Sequence, residues 1–92
     1  MMLEKQIEAK AVKWAKSNSW LTYKFTSPNK RGVPDRIFIK SGCLIFIEFK
    51  AERGKLTSLQ QREIDILKKE GMLVFVVYSF DEFLKVITNV KT

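Results

Sequence analysis

Residues 32–50 read GVPDRIFIKSGCLIFIEFK, and this stretch decides the fold. Val33 to Lys40 and Cys43 to Lys50 are two runs of strand-forming residues, and Ser41-Gly42 between them suits a two-residue hairpin turn. The sequence therefore predicts two antiparallel neighbours. In the second run, residues 44–47 are apolar on both faces, which predicts that this strand lies in the middle of a sheet.

Outward from the hairpin, helical and strand-like periodicities alternate along the chain. The pattern predicts helices over Leu3 to Ser17, Thr57 to Glu70 and Phe80 to Val90, and further strands over Trp20 to Phe25 and Met72 to Tyr78. The order α-β-β-β-α-β-α implies an α/β fold with a mixed four-stranded sheet flanked by helices. No repeat or linker interrupts the chain, so residues 1–92 are expected to form a single domain.

Each predicted helix carries one apolar stripe that is expected to face the core. The stripe positions are Leu3, Ile7, Ala11, Trp14 and Ala15 in the first helix, Leu59, Ile64 and Leu67 in the second, and Phe83, Leu84 and Ile87 in the third. No apolar run reaches the roughly 18 residues that a membrane helix needs. The polar N-terminus has no signal-peptide core, so the protein is expected to act in the cytoplasm.

The amino-acid composition excludes several kinds of catalytic and metal site. The chain has no histidine and only Cys43, which removes Ser-His and Cys-His nucleophile pairs, imidazole metal sites and internal disulfides. Cys43 is expected to be a small buried hydrophobic residue. The formal charge of +7 favours a polyanionic partner, although a merely basic soluble domain would have the same charge.

Polar residues occupy positions where the strand pattern favours apolar ones. Strand alternation puts Glu48 and Lys50 on one face, and taken alone the two suggest an exposed ion pair at a strand end. Asp35 lies seven residues before Gly42 and Glu48 six after it, so the hairpin brings their carboxylates together. Asp35 alone could instead stabilise the loop before its strand.

Two adjacent carboxylates are best explained by a shared cation, since like charges otherwise force one group to protonate. With oxygen ligands alone, the ion is expected to be Mg²⁺, with Mn²⁺ as a substitute. Such an ion can polarise a phosphoryl oxygen and activate a water. Lys50 would hold or deprotonate that water and balance the charge on the phosphate.

The chain at this point resembles a known family. Gly32 to Arg36, Phe46 to Ala51 and Gly54 to Gln60 look like the successive motifs of VRR-NUC domains, the virus-type replication-repair nucleases of the PD-(D/E)XK superfamily. The resemblance covers nearly the whole chain, from Glu4 to Ser79. It implies a restriction-endonuclease-like core and a metal-dependent nuclease that hydrolyses phosphodiester bonds.

The resemblance also implies roles for individual residues. Asp35 and Glu48 match the metal-binding acids, Lys50 matches the superfamily lysine, and Phe49 would lend its backbone carbonyl to the ion. Gln60 matches a glutamine that supports the site, although Thr57-x-x-Gln60 also fits a capping box, and both roles can hold together.

The first helix in this superfamily often supplies a further acid. Glu8 is the first choice here and Glu4 the reserve, and either could instead be a partly solvated residue at the helix edge.

Basic residues that flank the proposed site are expected to bind DNA phosphates rather than bases. They are Lys24, Lys30, Arg31, Arg36, Arg53 and Lys55. Residues 53–55 also fit a solvated turn.

The resulting hypothesis is a Mg²⁺-dependent endonuclease for branched DNA or four-way junctions, acting in the host cytoplasm if the protein is of phage origin. Cutting both sides of a symmetric junction needs two sites, so a homodimer is expected, with Trp20 or Phe25 as a reasonable anchor. The alternatives are a non-catalytic nucleic-acid-binding module and a basic structural domain.

Overall fold

A computed structural model describes residues 2–90. Four strands form one mixed sheet in the order β1-β2-β3-β4. They are β1 (Leu21–Lys24), β2 (Arg36–Lys40), β3 (Cys43–Phe49) and β4 (Leu73–Val77), and the helices are α1 (Glu4–Ser17), α2 (Ser58–Lys69) and α3 (Phe80–Asn89). The predicted fold class and element order are confirmed. None of the helices in residues 2–90 has both the length and the apolar character needed to cross a membrane.

The β2–β3 hairpin turns through the two residues that the sequence indicates. Ser41 and Gly42 have φ angles of 50° and 82°, the left-handed conformation that matches the twist of a two-residue hairpin. The antiparallel register runs from the pair Lys40 and Cys43 to the pair Arg36 and Ile47. The start of β2 therefore lies beside the end of β3.

Strand β3 is central, because it pairs antiparallel with β2 and parallel with β4. Its alternating side chains enter two separate cores. Ile45, Ile47 and Phe49 join the core beneath α1 and α3, while Phe46 packs with Ile64 of α2 and Val74 of β4. Glu48 shares the α2 side with Phe46, as strand alternation requires. Cys43 is half-buried and packs at the edge of the first core.

Two predicted core positions at helix ends are wrong. Leu3 is 66% exposed because α1 begins one residue later, and its backbone N–H donates to the Gln6 side chain. Leu59 is 44% exposed in the first turn of α2, where backbone rather than side chain lies against Gly32. The other stripe positions are buried or partly buried in the cores, and Ile7, Ala11 and Ala15 of α1 are fully buried.

Strand β2 begins at Arg36, three residues later than the sequence pattern predicts. Pro34 has no backbone N–H to donate to a ladder, so regular pairing cannot start before it. The carbonyl of Asp35 still accepts a hydrogen bond from the N–H of Phe25 at 2.9 Å. This hydrogen bond holds the backbone of Asp35 just before the first residue of β2.

Candidate active site

The register of the hairpin places Asp35 directly beside Glu48. Arg36 pairs with Ile47, so one step outward Asp35 lies next to Glu48. The Asp35 carboxylate is held in place because its Oδ2 accepts a 2.8 Å hydrogen bond from the backbone N–H of Phe49. Glu48 is 1% exposed and Asp35 is half-buried. The two carboxylates that the sequence singles out therefore meet at one end of the sheet.

A third carboxylate joins them from α1. One carboxylate oxygen from each of Glu4, Asp35 and Glu48 lies within 4.8 Å of the other two. Glu4 is exposed in the first turn of α1, so it approaches the half-buried Asp35 and the buried Glu48 from the solvent side. Three oxygen donors converging from a helix, a loop and a strand could share one cation.

Glu8, the first choice from the sequence, has different partners. Its Oε2 accepts a hydrogen bond from Arg36 Nε at 2.6 Å and pairs with Lys24 Nζ at 3.1 Å. The structure thus places Glu4, the reserve, in the carboxylate cluster. The physical reason lies in Arg36, the residue after Asp35 in the chain. Its side chain is on the side of the sheet that faces α1, and it binds Glu8, one helical turn beyond Glu4.

Lys50 and Gln60 both approach Glu48. Lys50 Nζ lies 3.9 Å from Glu48 Oε2, and Gln60 Nε2 donates to the same oxygen at 3.1 Å. Gln60 Oε1 meanwhile accepts from the backbone N–H of Thr57 at 3.0 Å, and Thr57 Oγ1 accepts from the Gln60 N–H. One side chain therefore caps α2 with its oxygen and donates to Glu48 with its nitrogen, so the capping box and a contact to Glu48 occur together.

The site penalises negative charge. Burial, followed by the nearby Asp35 carboxylate, raises the pKa of Glu48 to about 8, against the opposing attraction of Lys50. Burial also raises the pKa of Asp35, with further contributions from Glu8 and Glu4, while the hydrogen bond from Phe49 acts in the opposite direction. Glu48 Oε1 is buried without a hydrogen-bond partner in residues 2–90. A bound cation would satisfy that oxygen and favour both ionised carboxylates.

Gly32 brings the loop before Asp35 into direct contact with α2. It has a φ of 87°, and a Cβ at this position would lie 2.6 Å from the carbonyl carbon and oxygen of Leu59 and 2.9 Å from the backbone nitrogen of Gln60. Only glycine allows this approach. The close contact sets the distance between the loop that carries Asp35 and the helix turn that carries Gln60.

The candidate DNA-binding residues fall into two groups. Lys24 and Arg36 are paired with Glu8, and the Arg36 side chain is only 17% exposed. The remaining four, Lys30, Arg31, Arg53 and Lys55, are exposed on the loops that precede Asp35 and follow Lys50. These loops border the carboxylate cluster in sequence on both sides.

The two aromatic residues suggested as dimer anchors are not exposed. Trp20 is 5% exposed within the first core, and Phe25 packs against Phe46 with ring centroids 5.3 Å apart. Their neighbours on the edge strand β1 are exposed instead, Leu21 at 57% and Tyr23 at 55%. An apolar contact by this edge would therefore use the alternate residues of the strand.

Comparison with known proteins was consistent across sequence and structure. The profile of the VRR-NUC domain matches residues 3–81. A candidate nuclease, p44, of Acyrthosiphon pisum secondary endosymbiont phage 1 is 39% identical over 82 residues, covering 88% of each chain. A solved VRR-NUC domain matches with a TM-score of 0.86 and 29% identity, covering 96% of this chain and 97% of that one. A VRR-NUC domain protein with a TM-score of 0.79 and 23% identity, covering 95% and 86%, shares the fold.

Proposed function

The chain belongs to the VRR-NUC domain family of nucleases, and on that premise we propose that it is a divalent-metal-dependent endonuclease that hydrolyses DNA phosphodiester bonds. The observation that carries the proposal is the convergence of Glu4, Asp35 and Glu48 at one end of the sheet, with Lys50 beside them. The related phage protein supports an origin in a phage and action in the cytoplasm of its host.

The residues present fit a hard cation. The donors are carboxylate oxygens, and Glu48 Oε1 is a buried acceptor with no partner in the described chain. Glu4, Asp35, Glu48 and the backbone carbonyl of Phe49 are the proposed ligands, which favours Mg²⁺, with Mn²⁺ as a substitute. When bound, the ion would supply Lewis acidity at a phosphoryl oxygen and make a water more acidic.

The protein groups have separate tasks around that centre. Lys50 lies on the same side of the sheet as Glu48, only 10% exposed, so its ammonium is positioned to orient a water and to balance charge on the phosphate. Gln60 fixes the Glu48 carboxylate through Oε2, and the N–H of Phe49 fixes Asp35. Hydrogen-bonded neighbours of this kind preserve the geometry of the ligands.

We further propose that the substrate is branched DNA, such as a four-way junction, and that the protein acts as a homodimer. Exposed basic loops that flank the cluster in sequence favour phosphate contacts over base readout, which suits recognition by shape. Paired cuts on a symmetric junction require two active sites. The exposed Leu21 and Tyr23 on the edge strand β1 are the proposed contact between subunits.

The central experiment is cleavage of an end-labelled four-way junction with Mg²⁺, Mn²⁺ or EDTA. Asp35→Ala, Glu48→Ala and Lys50→Ala should each abolish the discrete cuts while largely preserving junction binding. Lys85→Ala, which changes an exposed lysine on α3, is the control and should cut normally. Metal binding is followed separately by calorimetry, where Glu48→Ala should remove the Mg²⁺ heat. A wild-type protein that binds junctions but never cuts them would instead be a non-catalytic binding module.

The dimer is tested by sedimentation. Tyr23→Lys should shift the protein to a monomer and convert paired cuts into single nicks, since each monomer retains one active site. Leu73→Lys places the same charge on an apolar residue of β4 that is 44% exposed, and it should leave the dimer intact. A monomeric wild type at micromolar concentration in the presence of DNA would overturn the dimer proposal and leave the nuclease proposal standing.

A further inference from the structure

A basic groove runs between α1 and the β1–β2 edge of the sheet. It has a volume of about 580 Å³, and five of its eight lining residues are lysine or arginine. Two of these, Lys24 and Arg36, reach it from the sheet. The others, Lys5, Lys13 and Lys16, follow one face of α1 at helical spacing and are exposed.

The charge in the groove is not neutralised from within. Its single acid, Glu8 of α1, pairs with Arg36 and Lys24 and thereby holds those two cations of the sheet against the helix. Within residues 2–90, none of the three α1 lysines forms an ion pair. Three neighbouring exposed ammonium groups in one concave surface favour a polyanion that can bind all of them together.

Two residues that line the groove directly follow residues of the carboxylate cluster in the chain. Glu4, which belongs to the cluster, is adjacent to Lys5, and Arg36 directly follows Asp35. From Lys5 to Lys16 the helix advances about 16 Å at 1.5 Å per residue. That length matches about five phosphate steps along one strand of duplex DNA, spaced about 3.4 Å along the axis.

We propose that this groove is a phosphate track that holds the backbone of one duplex arm leading away from the scissile bond. The inference rests on the proposed nuclease function and extends it by naming where the DNA lies: along α1, in addition to the loops around residues 30–31 and 53–55. Contact is made through phosphates alone, so it contributes affinity and orientation without sequence preference.

The test compares two triple variants that lose the same charge. The groove variant is Lys5→Gln, Lys13→Gln, Lys16→Gln, and the control is Lys68→Gln, Lys69→Gln, Lys85→Gln, which changes exposed lysines on α2 and α3. Junction affinity is measured by fluorescence anisotropy from 50 to 400 mM salt. The groove variant should lose about 2.7 from the slope of log K against log salt, and about 10²–10³-fold in affinity near 0.1 M salt. The control should stay close to wild type.

A charge-preserving variant, Lys5→Arg, Lys13→Arg, Lys16→Arg, should retain the wild-type slope. Urea unfolding of every variant checks that each is folded. Equal slopes for the groove and control variants would overturn the proposal, as would a groove variant that loses binding to phosphatidylserine vesicles while keeping its DNA affinity. If wild type cuts the junction but the groove and control variants bind it alike, the groove proposal is wrong and the nuclease proposal stands. If wild type does not cut but the groove variant still shows the reduced slope of log K against log salt, the nuclease proposal is wrong and the groove proposal stands. A wild type that binds no DNA at low salt overturns both.

Discussion

Replacing Glu48 by glutamine should stabilise the metal-free protein while removing its activity. The raised pKa of about 8 means that the folded protein binds a proton at Glu48 that the unfolded chain, near 4.5, has already released. Stability from this group is therefore fully present below pH 4.5 and is lost as the pH rises through 8. Glutamine imitates the protonated carboxyl at every pH and can keep the hydrogen bond from Gln60.

The size of the effect follows from the two pKa values. Each pH unit above 4.5 costs the wild type about 1.4 kcal/mol until the folded carboxyl ionises near pH 8. Glu48→Gln should thus gain about 3 kcal/mol at pH 7 and about 5 kcal/mol above pH 8, and nothing at pH 4. The gain is large against the 5–15 kcal/mol of a typical domain.

The assay is urea unfolding in EDTA from pH 4 to pH 9, with Glu63→Gln as the control for replacing a buried glutamate outside the cluster. Repeating the titration with Mg²⁺ should raise the stability of the wild type but not of Glu48→Gln, because binding to the folded state alone stabilises it. A difference between wild type and Glu48→Gln that does not change from pH 4 to pH 8 would refute the reasoning, as would a variant that is less stable than wild type at pH 8.

Three further substitutions each have an expected effect that an experiment can check. Gln60→Ala should lower the cleavage rate about 10–100-fold and the free energy of unfolding by about 1 kcal/mol, because it loses both the cap and the contact to Glu48. Thr57→Ala should lower only the free energy of unfolding, because it loses the cap alone. Single-turnover kinetics and urea unfolding measure the two quantities. Gly32→Ala should lower the free energy of unfolding by more than about 2 kcal/mol, because its Cβ would overlap the α2 backbone. Gly42→Ala is the control: it has a similar φ with open space around it and should lose about 1 kcal/mol. Equal losses for the two variants would contradict this account. Glu8→Gln should weaken folding by about 1–3 kcal/mol yet tighten DNA binding, and looser binding would contradict its role in the basic groove.

The pairing of Asp35 with Glu48 could be predicted because it depends only on local structure. A two-residue turn at Ser41-Gly42 fixes the antiparallel register, and the register then fixes which residues lie opposite each other at the far end. The convergence required no knowledge of the helices.

The choice between Glu4 and Glu8 could not be predicted in the same way, because the two acids lie one turn apart on one side of α1. Arg36 binds Glu8, and Glu4 is the acid that lies in the carboxylate cluster. The contact between Arg36 and Glu8 depends on how α1 packs across the sheet. A signal was present in the sequence: strand alternation puts Arg36 on the α1 side with Ile47, where a cation would bind one of the two acids. The exposure of Leu59 has a similar origin, since periodicity identifies a stripe but not what covers each end of it.

Phe49 explains how so small a chain holds neighbouring carboxylates in place. Its ring is fully buried between Phe38 and Phe83, with centroid separations of 6.4 and 6.2 Å, while its backbone N–H fixes Asp35. The residue before it is the buried Glu48 and the residue after it is Lys50, so packing of one aromatic ring sets the position of three functional groups. Because geometry at such a site must hold to about 0.5 Å, a substitution that loosens this ring, such as Phe49→Leu, should reduce cleavage at temperatures where the protein is still folded.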